Sequence, residues 1–257
     1  MLEIAAANTG KILVIGHRGA LAYAPENTMV SFELALEQGA DLIELDVHLS
    51  ADGELVVMHD NQVSRTTDGC GHIKDMTVAE IKKLDAGVRF GEQFRGERVP
   101  TLPEVLAWAR DRVPLVIELK GDPAPSDGIE SALVGMLHSH RMADRVTVIS
   151  FWHGSVKRVK ELEPSIATGI LYAGHLVDTV GAARAALCDS VRVPAGYWTK
   201  ERVDELHSVG LHTTAWQSEE DELTLRLARM GLDSIGTNYP DRMRACLDRN
   251  GLGWKCP

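Results

Sequence analysis

No apolar run in this 257-residue chain comes near the roughly 18 residues that a membrane span needs, so stable membrane insertion is not expected. No block of Lys or Arg occurs anywhere, and the formal net charge is -10, so the electrostatic footprint of a nucleic-acid binder is missing. An anionic ligand would therefore need a local positive device, such as a bound cation. Cysteine is sparse: Cys70, Cys188, Cys246 and Cys256 lie far apart with no C-x-x-C spacing, which argues against both a metal knuckle and a disulfide framework. The first eight residues carry no basic region followed by an apolar core, so no secretory signal is expected and a cytoplasmic location follows. Neither a low-complexity linker nor an internal repeat divides the chain. With 44% hydrophobic and 25% charged residues it reads as one folded domain over residues 1–257.

What is present is a series of apolar runs that end abruptly on polar chemistry. Ile12 to Ile15 ends on Gly16-His17-Arg18-Gly19, and three later runs end on Glu44-Leu45-Asp46, His59-Asp60 and Glu118-Leu119-Lys120. A buried strand that stops on reactive side chains is the simplest account of each. Between residues 51 and 54 the sequence Ala-Asp-Gly-Glu signals a hairpin turn, so Leu55 to Met58 returns beside the second strand and carries His59 back. Residues 60–100 are rich in glycine around one short helix near Val78 to Leu84, and read as a small insertion or lid. From Pro103 onward helix and strand alternate regularly. Strands beginning near Ile12, Leu42, Leu115, Val146, Thr168, Ser190, Leu211 and Ser234 make eight β-then-α units, which points to a (β/α)₈ barrel of the TIM type. The rival, a doubly wound open sheet, would place a glycine-rich phosphate loop after its first strand, and Gly16-His17-Arg18-Gly19 is not that loop.

In such a barrel the C-terminal strand ends converge on one mouth whatever their separation along the chain. Glu44 and Asp46, two apart on a strand, point to the same side. With Glu118 they make a set of oxygen ligands suited to one hard divalent cation, Mg²⁺ or Ca²⁺; no Cys or His spacing suits Zn²⁺. Taken singly, each acid could equally be a surface ion-pair partner. Three acids flanked by Ile43, Leu45, Val47, Ile117 and Leu119 would repel one another unless a cation intervened. His17 and His59 form a candidate proton-transfer pair. Arg18 and Lys120 suit a phosphate, one as a planar fork and the other as a point charge. Phe151 and Trp216 could wall a pocket for the rest of a ligand. His48 could stand beside the site or on the hairpin surface, and the other histidines receive no role.

These motifs, with Pro25-Glu26-Asn27-Thr28, Asp52-Gly53, Arg65-Thr66-Thr67, Leu84-Asp85-Ala86-Gly87, Pro100-Thr101-Leu102, Ser150-Phe151 and Thr237-Asn238-Tyr239-Pro240, resemble the glycerophosphodiester phosphodiesterase family over roughly residues 12 to 245. The resemblance implies a phospholipase-C-like phosphodiesterase barrel that hydrolyses small glycerophosphodiesters to glycerol 3-phosphate and an alcohol. It implies His17 and His59 as acid and base, Glu44, Asp46 and Glu118 around one divalent ion, Arg18 and Lys120 on phosphate, and Phe151 and Trp216 beside the glycerol. Alternatives with the same parts are a lysophospholipase D, a phosphodiesterase that leaves a cyclic product, and a non-catalytic phosphodiester-binding barrel. Two departures fall on the substrate side: Gln217-Ser218-Glu219 stands where the family has Thr-Val-Asn after the Trp, and Asn238 stands where it has Asp.

Overall fold

Eight parallel strands close on one another in this computed structural model, which describes residues 11–121 and 123–254. The reading of the first eight residues, and Cys256, lie outside them. The barrel strands are β1 (Leu13–Gly16), β2 (Leu42–Leu49), β4 (Leu115–Leu119), β5 (Val146–Ser150), β6 (Ala167–Leu171), β7 (Ser190–Val193), β8 (His212–Ala215) and β9 (Ser234–Thr237). Each pairs with the next, and β1 closes the ring by pairing with both β9 and β2. The remaining strand, β3 (Leu55–Val57), runs antiparallel to β2 with Val57 opposite Val47. Helices α1 (Met29–Glu37), α3 (Leu102–Ala109), α4 (Ile129–His140), α5 (His153–Leu162), α6 (Thr179–Ala185), α7 (Lys200–Ser208), α8 (Asp221–Met230) and α9 (Pro240–Arg249) follow the barrel strands, and the short α2 (Val78–Ile81) lies in the 60–100 segment.

Alternation decides what each strand offers the interior. On β1, Leu13 and Ile15 pack inside the barrel with Leu42, Val116, Ile149 and Leu171, while Val14 packs outside. On β2, Ile43, Leu45 and Val47 join the outer core against Leu102, Val105 and Leu106 of α3, leaving Leu42, Glu44 and Asp46 to face inward. The irregular look of this strand in the sequence is thus a two-residue period hidden by apolar residues on both faces. Inward leucine and valine fill the floor of the barrel; higher up the same face switches to acids.

The 60–100 segment is built on a small core of its own. Val63, Ile73, Ile81, Ala86 and Val99 pack with Val56 and Met58 of the returning hairpin. The helix expected to reach Leu84 stops at Ile81, and Lys83 and Leu84 continue as tighter turns onto Glu80 and Ile81. Just beyond, the Asp85 carboxylate accepts from the backbone of Gly87, Val88 and Gly96, drawing the chain into a loop where a helix would have continued.

Candidate active site

The first turn after β1 is bent sharply. Arg18 adopts a left-handed backbone conformation, φ 51°, which few non-glycine residues occupy, and its N–H thereby reaches Glu44 Oε2 at 2.9 Å. Gly19 follows at φ 87°, where a Cβ would lie 2.4 Å from Ser31 Oγ, so only glycine lets α1 approach this closely. Ser31 Oγ accepts from Ala20 N–H and donates to Arg18 C=O, tying the turn to α1. Asn27, also left-handed at φ 57°, sends its side-chain N–H₂ to Asp46 Oδ2 at 2.8 Å, leaving Thr28 to cap the helix.

Asp46 and Glu118 are register partners on neighbouring parallel strands, which sets two carboxylates side by side on the inner face. Oxygens of Glu44, Asp46 and Glu118 lie within 4.8 Å of one another, the one such acidic, histidine or cysteine group of three among the described residues. Two cations enclose them. Lys120 Nζ lies 2.8 Å from Glu118 Oε1 and 3.5 Å from Asp46 Oδ1, and Arg18 Nε lies 3.4 Å from Asp46 Oδ2. Burial pushes all three acids up; for Asp46, Lys120 and Arg18 outweigh burial and hold its carboxyl at about 2. Glu44 is pushed well above the carboxylate range by burial and by Asp46. Glu118 is raised to about 7 for the same two reasons, against the pull of Lys120. Asp46 Oδ1 and Arg18 Nε are buried with no hydrogen-bond partner. An all-oxygen donor set with crowded charge and an orphaned carboxylate oxygen fits one hard divalent cation.

The two imidazoles are held differently. His17 Nδ1 meets Asn238 Oδ1 at 2.7 Å, so Nδ1 carries the hydrogen and Nε2 presents its lone pair. Burial, then Arg18, lowers the His17 pKa to about 4. His59 Nδ1 instead donates to the Asp60 carboxylate at 2.7 Å, and Asp60 is gripped in turn by Arg65 Nε at 2.5 Å. Arg65 also binds Glu26, which binds Arg18. His59 therefore stands at the end of a chain of alternating charges that begins at Asp46. His48 is buried, and its Nε2 donates to the His59 carbonyl at 3.0 Å; it braces the hairpin and is not on its surface.

Of the residues singled out by sequence, His17, Arg18, Glu44, His59, Glu118, Lys120, Phe151 and Trp216 all line one cavity of about 330 Å³ at the C-terminal strand ends. Asp46 is 1% exposed, beneath Arg18 and Lys120. Phe151 and Trp216 meet edge to face, ring centres 5.6 Å apart. Sequence reading passed over Arg192 of β7, which is buried in the barrel and lines the same cavity. Its signal was the alternation Ser190-Val191-Arg192-Val193, which turns the two polar side chains to one face. It also gave no role to Asn238 or Asp60, whose contacts with the histidines span 221 residues in one case and one in the other.

A parallel eight-stranded barrel with an acid cluster, paired cations and two histidines at its C-terminal mouth belongs to the class of barrels that act on phosphate esters. The chain matches the model of the glycerophosphoryl diester phosphodiesterase family over residues 17–242 and belongs to that family. It is 40% identical over 242 residues to a glycerophosphodiester phosphodiesterase of Caldanaerobacter subterraneus, covering 94% of this chain and all of that one. It is 35% identical over 249 residues to a Bacillus subtilis glycerophosphodiester phosphodiesterase, covering 90% and 85%. An Oleispira antarctica phosphodiesterase solved with the product sn-glycerol-3-phosphate superposes with a TM-score of 0.86 at 33% identity, covering 92% of this chain and 96% of the other. No described helix is long and apolar enough to cross a membrane.

Proposed function

We propose that the chain hydrolyses glycerophosphodiesters to glycerol 3-phosphate and a free alcohol, with His17 as general base and His59 as general acid. The observation that carries this reading is the single cavity shared by both imidazoles, two cations and the acid cluster. Glu44, Asp46 and Glu118 would hold one Mg²⁺ or Ca²⁺. Bound there, a divalent cation supplies Lewis-acid stabilisation of charge on a non-bridging phosphoryl oxygen. Arg18 and Lys120 bind the other phosphoryl oxygens, and Phe151 and Trp216 border the glycerol.

The hydrogen-bond partners divide the proton work. His17 rests on a neutral amide and is held as the free base, so Nε2 takes a proton from the attacking oxygen. Burial, with Arg18 and Lys120, draws the His59 pKa below its ordinary value against the pull of Asp46 and Asp60; the Asp60 carboxylate holds Nδ1–H and pairs the imidazolium when it forms, and Nε2–H then gives a proton to the departing alkoxide as the phosphorus–oxygen bond breaks. Water as the attacking oxygen yields glycerol 3-phosphate directly; the neighbouring glycerol hydroxyl would first yield a cyclic phosphate. The chain acts as one domain, with residues 60–100 as a wall or lid beside the mouth.

The test is turnover of glycerophosphodiesters followed by phosphorus NMR. Activity should vanish with a chelator and return with Mg²⁺ or Ca²⁺, and His17→Ala and His59→Ala should each lose about two to four orders of magnitude. Chelator-resistant turnover would remove the metal assignment, and wild-type rates in either variant would remove that histidine. A lysophospholipase D activity is the second reading, favoured by Phe151 and Trp152, which are 46% and 42% exposed at the rim. Faster cleavage of a monoacyl substrate than of its deacylated counterpart would select it.

A further inference from the structure

A second cleft shares His59 and Lys120 with the cavity just described. Its volume is about 420 Å³, and its lining includes His48, Asp60, Asn61, Gln62 and Ser64 together with the two shared residues. The cavities differ in kind. The first has walls of Ile15, Val116, Ile149, Leu171, Phe151 and Trp216; the second has no aliphatic or benzenoid side chain in its lining.

The charges in the second cleft are already committed within the protein. Asp60 accepts from both His59 and Arg65, and the Lys120 ammonium lies on Glu118 and Asp46. A quaternary ammonium group would find no Phe, Tyr or Trp face and no carboxylate without its own cation, and it would approach Lys120. An acyl chain would find no apolar wall. Beside these paired charges the lining is neutral and hydrogen-bonding: the amides of Asn61 and Gln62, the latter 3.5 Å from His72 Nε2, and the hydroxyl of Ser64.

We infer that this cleft receives the departing alcohol and is built for an uncharged, hydroxyl-rich one, such as a glycerol or an inositol, over choline or ethanolamine. The inference rests on the phosphodiesterase reading above. A phosphoryl group held by Arg18 and Lys120, with its glycerol against Phe151 and Trp216, has its second ester oxygen left to point past His59. That imidazole lines both spaces and can protonate the alkoxide as it leaves into the second.

The test is kcat/KM for glycerophosphoglycerol, glycerophosphoinositol and glycerophosphocholine, in the wild type and in two variants. These esters share the glycerol 3-phosphate half, so effects on the nucleophile or the phosphate cancel in their ratio. The wild type should favour the polyol esters on the order of tenfold, the size of one or two hydrogen bonds. The exposed pair Gln62→Ala with Ser64→Ala should bring that ratio close to one. Gln62→Glu, which adds a carboxylate with no cation of its own, should turn the preference toward the choline ester. Equal or better cleavage of the choline ester by the wild type, or a ratio that neither variant moves, would overturn the inference while leaving the activity standing. No turnover of any of the three would instead remove the phosphodiesterase reading, and this subsite with it.

Discussion

Acids at the two ends of the barrel strands live in opposite circumstances. At the mouth, Glu44, Asp46 and Glu118 crowd together and share two cations. At the floor, Asp41, Asp189 and Asp233 each stand immediately before a strand, and each embraces one residue of the preceding strand. The carboxylate of Asp41 accepts from Val14 N–H, that of Asp189 from Thr168 N–H and that of Asp233 from Thr213 N–H, all at 2.8 Å. The backbone N–H of each aspartate donates back to the carbonyl of the same residue. Each also has its own basic partner from a surrounding helix: Arg244, Lys160 and, charged when protonated, His207. One carboxylate, one basic partner and one strand junction make a satisfied unit; three carboxylates on two cations make a site that gains from a further positive charge. The same residue type thus serves cohesion at one end and chemistry at the other.

The comparison can be broken most sharply at Glu44. Glu44→Gln keeps the volume and an acceptor for Arg18 N–H but removes a charge from the crowd. Turnover should fall by about two to four orders of magnitude. Stability in urea should stay level or rise, because a buried like-charge contact has gone; a clear loss of stability would mean that Glu44 works as the floor aspartates do. At Asn238 the change runs the other way. Asn238→Asp places a carboxylate on His17 Nδ1 and should raise the pKa of that base from its value of about 4. The acidic limb of kcat/KM against pH should then move upward by about one to two units, and an unmoved limb would show that His17 is not the base.

At the floor the expected effects are on stability. Asp233→Asn leaves His207 and the Thr213 hydroxyl without their charged acceptor and should cost about 1 to 3 kcal/mol in urea unfolding with kcat/KM unchanged. A loss of activity at full stability would erase the distinction between the two ends. His207→Gln is the smallest change. Asp233 raises the His207 pKa, so the pair's contribution is fully present below the unfolded histidine value of about 6.5 and fades as pH rises through the higher folded value. The variant should be less stable than wild type by at most about 1 kcal/mol near pH 5.5 and indistinguishable from it near pH 9. An equal deficit at both values would mean that the contact is packing and not charge.

Much of the mouth was legible because a barrel converts strand order into proximity. Runs such as Ile43-Glu44-Leu45-Asp46-Val47 announce a strand whose alternate side chains are acids, and the hairpin turn at residues 51–54 announces that His59 comes back to them. Arg192 escaped notice because its strand is short and Val191 and Val193, on either side of it, read as core. The floor aspartates escaped because a lone Asp before a strand looks like any turn residue; Ala40-Asp41-Leu42, Cys188-Asp189-Ser190 and Leu232-Asp233-Ser234 share no more than that position.

The order of strands and helices, the acids and imidazoles at strand ends and the family were all carried by the residues themselves, since periodicity and motif are local properties of a chain. Which amide or carboxylate stands behind each histidine, and how many cations each acid must share, was decided only when the barrel closed. Asn238 reaches His17 because β1 lies beside β9, the first and last strands of the ring, and no local pattern encodes that junction.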